Sequence, residues 1–568
     1  MAATIRPERR PALAAVAAAL VVLPLLILAV RIVRGRYLTF SDWANIELRT
    51  RDVGGAHTPL VGPFSRYGWN HPGPLLFYAL TLPYRLLGSN GTGLLLGAVL
   101  VNAIAFALIG VVLWRRGGGT GLLLGGAVVL LLVRALGASF VINPWNPYVI
   151  VFPMLAVALL CWAAIDGDRW GLPVGVALGS FAVQSHVGAA LGVAVPIAIA
   201  AVFLWRQWRT LLVSLGVLVL LWIPPLVEEL QPHGGNLSSL VRFWTQSHSD
   251  VTGWSKGARI LFPQLSIPAP WFTGHSDNTA FTFGVPTQWH FPFAILLLVG
   301  ALVVAALRHD RQSWSLDAIA LGLVVAGWVS AARVVGTPFD YVVQWLWIVG
   351  ALSFLAIVWT AWRTLVASAA AVRVVAIASA VGALVLIAFI AAGAVRADFP
   401  QPVEERSIAA IAPAARAALR SLPDPVLVEP APDLNSGNSA AGILALGARA
   451  GVDVRVPQSE AITVGAHRTI APAQARSVVL VANDDAALPY SADPTRYHLL
   501  ASTDPLTSQE RAERNELAAQ IHSAAKNGLR GVAQWLQAHP SQANRAAALD
   551  ARGPRIDLFL DTEPTAAK

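Results

Sequence analysis

Residues 38–53 read LTFSDWANIELRTRDV, and residues 62–78 read GPFSRYGWNHPGPLLFY. Both stretches crowd acids, arginines, a histidine and aromatics together in a chain that is otherwise oily. The 568 residues are 55% hydrophobic and only 13% charged, with a mean hydropathy of +0.58. That composition belongs to a polytopic membrane protein rather than to a large soluble enzyme. The polar stretches follow the first long apolar run directly. Their meaning therefore depends on which side of the bilayer that run delivers them to.

A helix needs roughly 20 apolar residues to cross the hydrocarbon core, with about 17 as a lower limit. Runs of this kind fall at 11–31, 92–114, 119–138, 149–165, 171–185, 187–205, 210–226, 291–307, 314–334, 341–361 and 372–394, about eleven spans. The first lacks a small-residue cleavage site and runs into Arg31, Arg34 and Arg36, so it reads as an uncleaved span. Arg6, Arg9 and Arg10 balance those three arginines, so this span does not orient itself. Later loops do. Arg115 and Arg116, Arg206 and Arg209, Arg308 and Arg311, and Arg363 and Arg373 all fall in loops of one parity. Short Arg-rich loops stay cytoplasmic, which places the N-terminus inside and the tail outside, in a plasma membrane.

Two consequences follow from this parity. The piece 171–205 crosses twice, so VQSHVG, residues 183–188, is an outer turn. HPGPLLFYALTLPYRLLG, residues 71–88, cannot be a span without inverting every later loop. It reads instead as a surface helix anchored by Tyr78, Tyr84 and Arg85, with Pro72 and Pro74 in its first turn. Residues 37–91 then form one long outer loop. The fold class is a polytopic α-helical membrane protein, residues 1–395, carrying an extracytoplasmic α/β domain, residues 396–568. In that tail helix-like stretches alternate with β-branched runs such as PVLVEP, VDVRV, SVVLVAND and IDLFLD.

Charge divides along the same boundary. Residues 396–568 hold 17 Lys/Arg against 19 Asp/Glu, a net −2, whereas the residues before them carry +11 of the total of +9. The basic excess is the positive-inside signature of a membrane part, and no basic run with interleaved aromatics suggests a nucleic-acid partner. Cys161 is the only cysteine, which excludes a disulfide framework and a thiolate metal site.

On a helix, Asp42, Asn45, Arg49 and Asp52 share one stripe at i, i+3, i+7 and i+10. A carboxylate at the bilayer surface can take a proton from an incoming hydroxyl or ligate a divalent metal. Arginines beside it suit phosphate, because the guanidinium fork matches phosphate oxygens. The plain alternative is a solvated amphipathic helix. Elsewhere, Arg333 sits near the outer end of a span, where an arginine is costly unless it has a role. It could also snorkel or pair with Asp340, and Arg134 is a weaker candidate of the same kind. WIPPLVEELQPHGGNLSSLVRFW, residues 222–244, turns out of a span through Pro224 and Pro225 into Glu228, Glu229 and Asn236, and reads equally as a lining of the acceptor path or as a capped surface turn. Asn143, Asn146, Gln184 and His186 gather at the outer face by topology.

FSDWANIELR after the first span, followed by an aromatic loop and NHPGPLLFY, resembles the first outer loop of the GT-C superfamily. These are membrane glycosyltransferases that use polyprenyl-phosphate-linked sugars. The resemblance implies that Asp42 is the catalytic base, and that His71, Pro72, Pro74, Leu75 and Tyr78 form the surface-helix motif, with Gly73 intervening. It implies donor-phosphate binding by Arg333, with Tyr341 beside it, and by Arg49 and Arg66. Glu47, Tyr67, Trp69, Asn70, His71, His186 and Glu228 are expected to contact substrate. The adjacent Asp-Glu pair of the O-mannosyltransferases is absent, since Glu47 comes five residues after Asp42. A divalent cation, Mg or Mn, is an allowed cofactor with Asp42 as its ligand. The expected partners are a polyprenyl-phosphate sugar donor, a glycan, lipid or protein acceptor outside the membrane, and membrane lipid.

Two look-alikes carry no chemistry. Asp166-Gly167-Asp168 imitates the Asp-x-Asp of soluble sugar-nucleotide transferases, but it lies in a short inner loop. RRGGGTGLLLGG, residues 115–126, lacks the Gly-Lys-Ser/Thr of a phosphate loop. The competing functions are a flippase for a lipid-linked glycan, which would want broken, charged helices at mid-membrane, and an inactive scaffold.

Overall fold

The structure is a computed structural model that describes residues 11–232, 234–246, 248–274, 289–365, 369–526 and 528–563. Arg6, Arg9 and Arg10 lie outside the described residues. The chain divides into two compact units. The first comprises Met1–Gly35, Thr58–Leu87 and Gly93–Asp398, and the second Arg36–His57, Gly88–Thr92 and Phe399–Lys568.

In the first unit, six helices among the described residues are long and apolar enough to cross a membrane. They are Gly91–Leu136, Asn146–Ile165, Trp208–Glu229, Arg311–Ala332, Asp340–Leu365 and Ala370–Arg396. Pro11–Arg34 is helical as well. Gly91–Leu136 covers two of the expected runs, because Gly118 at φ 61° breaks it. Trp208–Glu229 continues through Pro224 and Pro225 instead of ending there. Gly171–Ser185, Val187–Phe203 and Phe293–Leu307 are shorter. At about 1.5 Å per residue, a 15-residue helix reaches only ~22 Å, short of a ~30 Å hydrocarbon core. The eight expected runs outside these three shorter helices coincide with Pro11–Arg34 and the six long helices, Gly91–Leu136 covering two of them.

Three of the four Arg-rich loops, at 115–116, 308–311 and 363, are tied together through one another and the turn at 166–168. Arg116 pairs with Asp166 at 2.5 Å, Arg115 with Asp168 at 2.5 Å, and Arg363 with Asp310 at 2.6 Å. Arg311 donates to the Ile165 carbonyl and Gln312 to that of Arg116. Both aspartates of the Asp-x-Asp look-alike are therefore spent on turn-locking ion pairs. Loops of opposite parity meet within the first unit as well, where Arg66 reaches the Val335 and Thr337 carbonyls and Asn70 bonds to Asn236.

Leu75–Leu86 is a 12-residue helix, too short to span. Leu82 and Leu86 are its exposed hydrophobics, whereas Leu76, Phe77, Leu80 and Tyr84 are buried. Tyr84, expected as an interfacial anchor, is a core residue at 1% exposure. Before this helix, β1 (Phe64–Ser65) and β2 (Trp69–Asn70) pair antiparallel. Gly68 at φ +80° closes their three-residue turn, the left-handed position that such hairpins require.

The second unit is built on a mixed five-stranded sheet in the order β4-β3-β5-β7-β6. The strands are β3 (Val426–Pro430), β4 (Val454–Arg455), β5 (Ser477–Asn483), β6 (Tyr497–Thr503) and β7 (Ile556–Asp561). β3 runs parallel to β4 and β5, whereas β7 is antiparallel to β5 and β6. The parallel β3–β4 pair demands a crossover, which the Leu434–Ala450 helix provides, capped by Asp433 on the Ser436 N–H. β5 is buried along its whole length, as expected of a central strand covered on both faces.

The core of this unit includes Ile408, Ile411 and Leu419 from the Pro402–Ser421 helix and Ile443, Leu444 and Leu446 from Leu434–Ala450. It also includes Phe40, Ala44 and Leu48. Residues 40, 44 and 48 form one i, i+4 row of the stretch that opens the sequence. The division therefore differs from a single cut at residue 395. Residues 36–57 fold with the tail because this apolar row is buried in the tail's core.

Candidate functional site

The Ser41–Asp52 helix carries the catalytic candidate. Trp43, Ala44, Ile46, Glu47, Leu48 and Thr50 are buried. Asp42, Asn45, Arg49 and Asp52 are the half-buried positions along with Ser41, and Arg51 is exposed. The stripe read from the sequence is thus the half-buried face of the helix, with the Asp52 side chain itself only 8% exposed. Asp42 lies in the first turn, where the positive end of the helix dipole favours a carboxylate. Beside it on the stripe, the Asn45 side-chain oxygen is buried and accepts no hydrogen bond among the described residues.

The second unit holds this helix at both ends. Ser41 Oγ donates to Asn438 Oδ1 at 2.8 Å. Arg468 grips both Asp52 oxygens, and His467 Nε2 lies 3.3 Å from Asp52 Oδ2. Burial alone would raise the Asp52 carboxyl, but the His467 and Arg468 contacts outweigh it and hold it below the ordinary range. In the middle, Glu47 is 1% exposed and receives a forked hydrogen bond from Arg449, with Nε at 2.6 Å from Oε1 and Nη2 on Oε2. Thr39 Oγ1 donates to Glu47 Oε2 at 2.6 Å. Glu47, expected to contact substrate, is instead a structural ion pair that positions the Asp42 helix. Arg49 Nη1 lies 3.5 Å from the Val464 carbonyl, a long contact that leaves its remaining N–H groups available.

The other expected residues belong to the first unit. Arg66 and Tyr67 occupy the tip of the β1–β2 hairpin. Arg66 Nη2 donates to the carbonyls of Val335 and Thr337, and its guanidinium lies over the rings of Tyr67 and Phe339 at 4.9 and 4.8 Å. These contacts make Arg66 a strut, which argues against its expected phosphate role. Tyr67 also donates to the Val335 carbonyl at 2.7 Å. Trp69 is buried among Tyr67, His71 and Phe243, and its indole N–H has no acceptor among the described residues. Asn70 and Asn236 exchange two hydrogen bonds of 2.9 and 3.0 Å. Glu228 accepts from the Asn236 N–H, and Glu229 from the Leu237 N–H. Glu228, expected to contact substrate, thus caps the helix Asn236–Thr245.

His71 and His186 lie face to face, with ring centroids 4.7 Å apart. The Nδ1 of His71 accepts from the Val187 N–H and that of His186 from the Gly188 N–H, each at 3.2 Å. An imidazole that accepts at Nδ1 carries its proton on Nε2. Both rings are therefore neutral donors. Burial drives both below the usual histidine range, His71 well below it and His186 to about 4, with His71 further opposed by His186 and His186 by Arg66. For a histidine with a depressed folded-state pKa, stability is complete above the unfolded value of about 6.5. It is lost as pH falls from there through the folded-state value. Wild type should keep its melting temperature from pH 8 to 6.5 and lose it progressively toward pH 4, by on the order of 2–3 kcal/mol for His186 alone. His186→Gln should flatten part of that loss, as a thermal-unfolding series in detergent would reveal.

The glycine that interrupts the surface-helix motif has a local cause. A Cβ on Gly73 would fall 2.2 Å from Gln184 Oε1, and one on Gly62 would fall 2.6 Å from the Gln184 carbonyl. Both glycines let the 62–73 segment lie directly on the turn before His186. Arg333 follows the Arg311–Ala332 helix, is exposed, and forms no side-chain hydrogen bond or ion pair among the described residues. It does not pair with Asp340. Arg134, by contrast, donates to the carbonyls of Phe272 and Thr273. Tyr341 stacks on Phe339 and tilts against Trp145. Among the described residues, the site candidates of this unit that lack a partner are mainly donors, the Arg333 guanidinium, the Trp69 indole and two imidazole N–H groups, with Gln184 Oε1 beside Gly73 as an unpartnered acceptor. Such a set suits phosphate or sugar oxygens.

No protein-family profile matches the chain, and no curated protein matches it. Solved structures do. ArnT from Cupriavidus metallidurans bound to undecaprenyl phosphate aligns with a TM-score of 0.51 at 15% identity, over 85% of this chain and 95% of that one. The same protein in the apo state aligns with a TM-score of 0.51 at 14% identity, over the same shares. The fold is GT-C-like. Within this GT-C-like fold the expected residues separate by unit, with Asp42, Glu47 and Arg49 in the second and the others in the first. Sequence reasoning overlooked Arg449, Arg468 and Phe243. Nothing near the two arginines in the chain signals a role, because their partners lie more than 400 residues away. Among the described residues no three His, Cys, Asp or Glu side chains converge as a metal ion would need, so no step is routed through a divalent cation.

Proposed function

We propose that the protein is an inverting glycosyltransferase that moves a sugar from a polyprenyl-phosphate donor to an acceptor on the non-cytoplasmic side of the plasma membrane. The observation that carries this reading is Asp42, a half-buried carboxylate in the first turn of a helix otherwise buried and clamped. The GT-C-like fold supports it, and in ArnT that fold accommodates undecaprenyl phosphate. Asp42 removes the proton of the acceptor hydroxyl as its oxygen attacks the anomeric carbon. The bond from that carbon to the phosphate oxygen breaks, and polyprenyl phosphate leaves with the electron pair. Arg333 and Arg49 hold its charge. Tyr67, Trp69, Asn70, His71 and His186 shape the sugar pocket, where aromatic faces stack on the ring and neutral imidazole N–H groups donate to hydroxyls. The acceptor is a glycan, lipid or protein of the cell envelope, guided by the second unit.

The test is transfer by purified full-length protein from a panel of synthetic polyprenyl-phosphate sugars, read as release of polyprenyl phosphate. A lipid that crosses vesicles with its sugar still attached would identify a flippase and refute the proposal. Arg333→Ala should lower kcat/KM for the donor by about 10–100-fold, the effect of removing one charged hydrogen-bond donor worth ~1.5–3 kcal/mol. The loss should concentrate in donor KM, and Arg333→Lys should restore part of it.

A further inference from the structure

The structure holds a second feature suited to a phosphate-bearing lipid, lined by none of the residues assigned to transfer. The helices Pro11–Arg34 and Ala369–Arg396 enclose a groove of about 400 Å³ lined by Leu26, Ile27, Val30, Arg31, Arg34 and Val395. Leu26, Val30 and Val395 are each about half exposed, so the groove opens along an apolar outer face. At its end Arg31 donates to the Val395 carbonyl. That contact covers one orphan carbonyl at the negative end of the helix Ala369–Arg396. The Arg31 Nε–H is buried and has no acceptor among the described residues. Arg34 and Arg396 are exposed, and neither they nor Arg31 form an ion pair among the described residues.

Guanidinium groups at the end of a lipid-facing helix reach the depth of the headgroups. A buried donor lacking an acceptor marks a place that an anion completes. We propose that this groove binds an anionic glycerophospholipid, its acyl chain along Leu26, Val30 and Val395 and its phosphate on Arg31 and Arg34. The charge of the site selects the anionic class, and its apolar length selects a lipid over a free phosphate ion. This inference does not rest on the transferase reading. A chain without transferase activity would still show it.

Native mass spectrometry of the full-length protein in detergent tests it, with phosphatidylglycerol and phosphatidylcholine of identical acyl chains and a polyprenyl phosphate as third probe. Wild type should retain phosphatidylglycerol about tenfold over phosphatidylcholine, a difference of ~1.4 kcal/mol. Arg31→Gln and Arg34→Gln should each reduce retention toward the phosphatidylcholine level. Arg34 is exposed and unpaired, so Arg34→Gln should keep the wild-type melting temperature and still show the loss. Equal retention of the two phospholipids, or an Arg34→Gln variant that binds like wild type, would overturn the proposal. So would displacement of phosphatidylglycerol by equimolar polyprenyl phosphate, which would assign the groove to that lipid instead.

Discussion

Asp42→Asn should lower sugar transfer by about 10²–10⁴-fold, the range of a positioned general base, while the protein still folds and still binds donor. Asparagine keeps the shape of the carboxylate but cannot accept a proton from the attacking hydroxyl. Donor KM should move little, because the phosphate is assigned to Arg333 and Arg49. The helix should remain in place, since its anchors are Ala44, Leu48, Glu47 and Asp52. Single-turnover transfer measured beside donor binding separates the two effects. A variant that loses binding and transfer together would make Asp42 a ligand for the donor rather than a base.

Arg449→Ala should destabilise the protein by about 3–5 kcal/mol, because it leaves the Glu47 carboxylate buried without its cation. Glu47 is 1% exposed and has Arg449 and Thr39 as hydrogen-bond partners. The double variant Glu47→Leu/Arg449→Leu should recover much of that stability, since an apolar pair of similar volume carries no desolvation cost. The two outcomes also distinguish positioning from chemistry. If Glu47 merely holds the Asp42 helix, the double variant should regain transfer along with stability. Stability restored without transfer would return Glu47 to the substrate site. Thermal unfolding and transfer on the same preparations would decide between them.

Much of this arrangement could be read from the chain. The stripe at 42, 45, 49 and 52 follows from helical period alone, and the structure leaves those positions half-buried, with Asp52 spent on Arg468. Three of the four Arg-rich loops of one parity are tied together, because Arg115, Arg116 and Arg363 find Asp168, Asp166 and Asp310 and Gln312 reaches the Arg116 carbonyl. Four strands of the sheet coincide with β-branched runs. β6 was not apparent, since a register shift between Leu499 and Ala501 interrupts its alternation.

The failures share a physical cause. Glu47 and Arg66 look like site residues because polar groups near a membrane surface invite a functional reading. Yet the partner of Glu47 is 402 residues away and the carbonyl partner of Arg66 is 269 away. Local pattern carries no trace of such pairings. Tyr84 looked like an anchor for a related reason, since a period cannot tell a face against lipid from one against protein. Gly73, which departs from the motif, became intelligible only with the approach of Gln184 in view.

Side-specific labelling probes the central claim most directly. Arg51 is the exposed residue next to the stripe, and the chain's single native cysteine, Cys161, is buried. Arg51→Cys can therefore be challenged with a membrane-impermeant maleimide in intact cells and in inverted vesicles. Reaction in intact cells is the expected result, with the Asp42 face on the non-cytoplasmic side. Reaction confined to inverted vesicles would put that face in the cytoplasm and contradict the assignment of Asp42 to a polyprenyl-phosphate donor there.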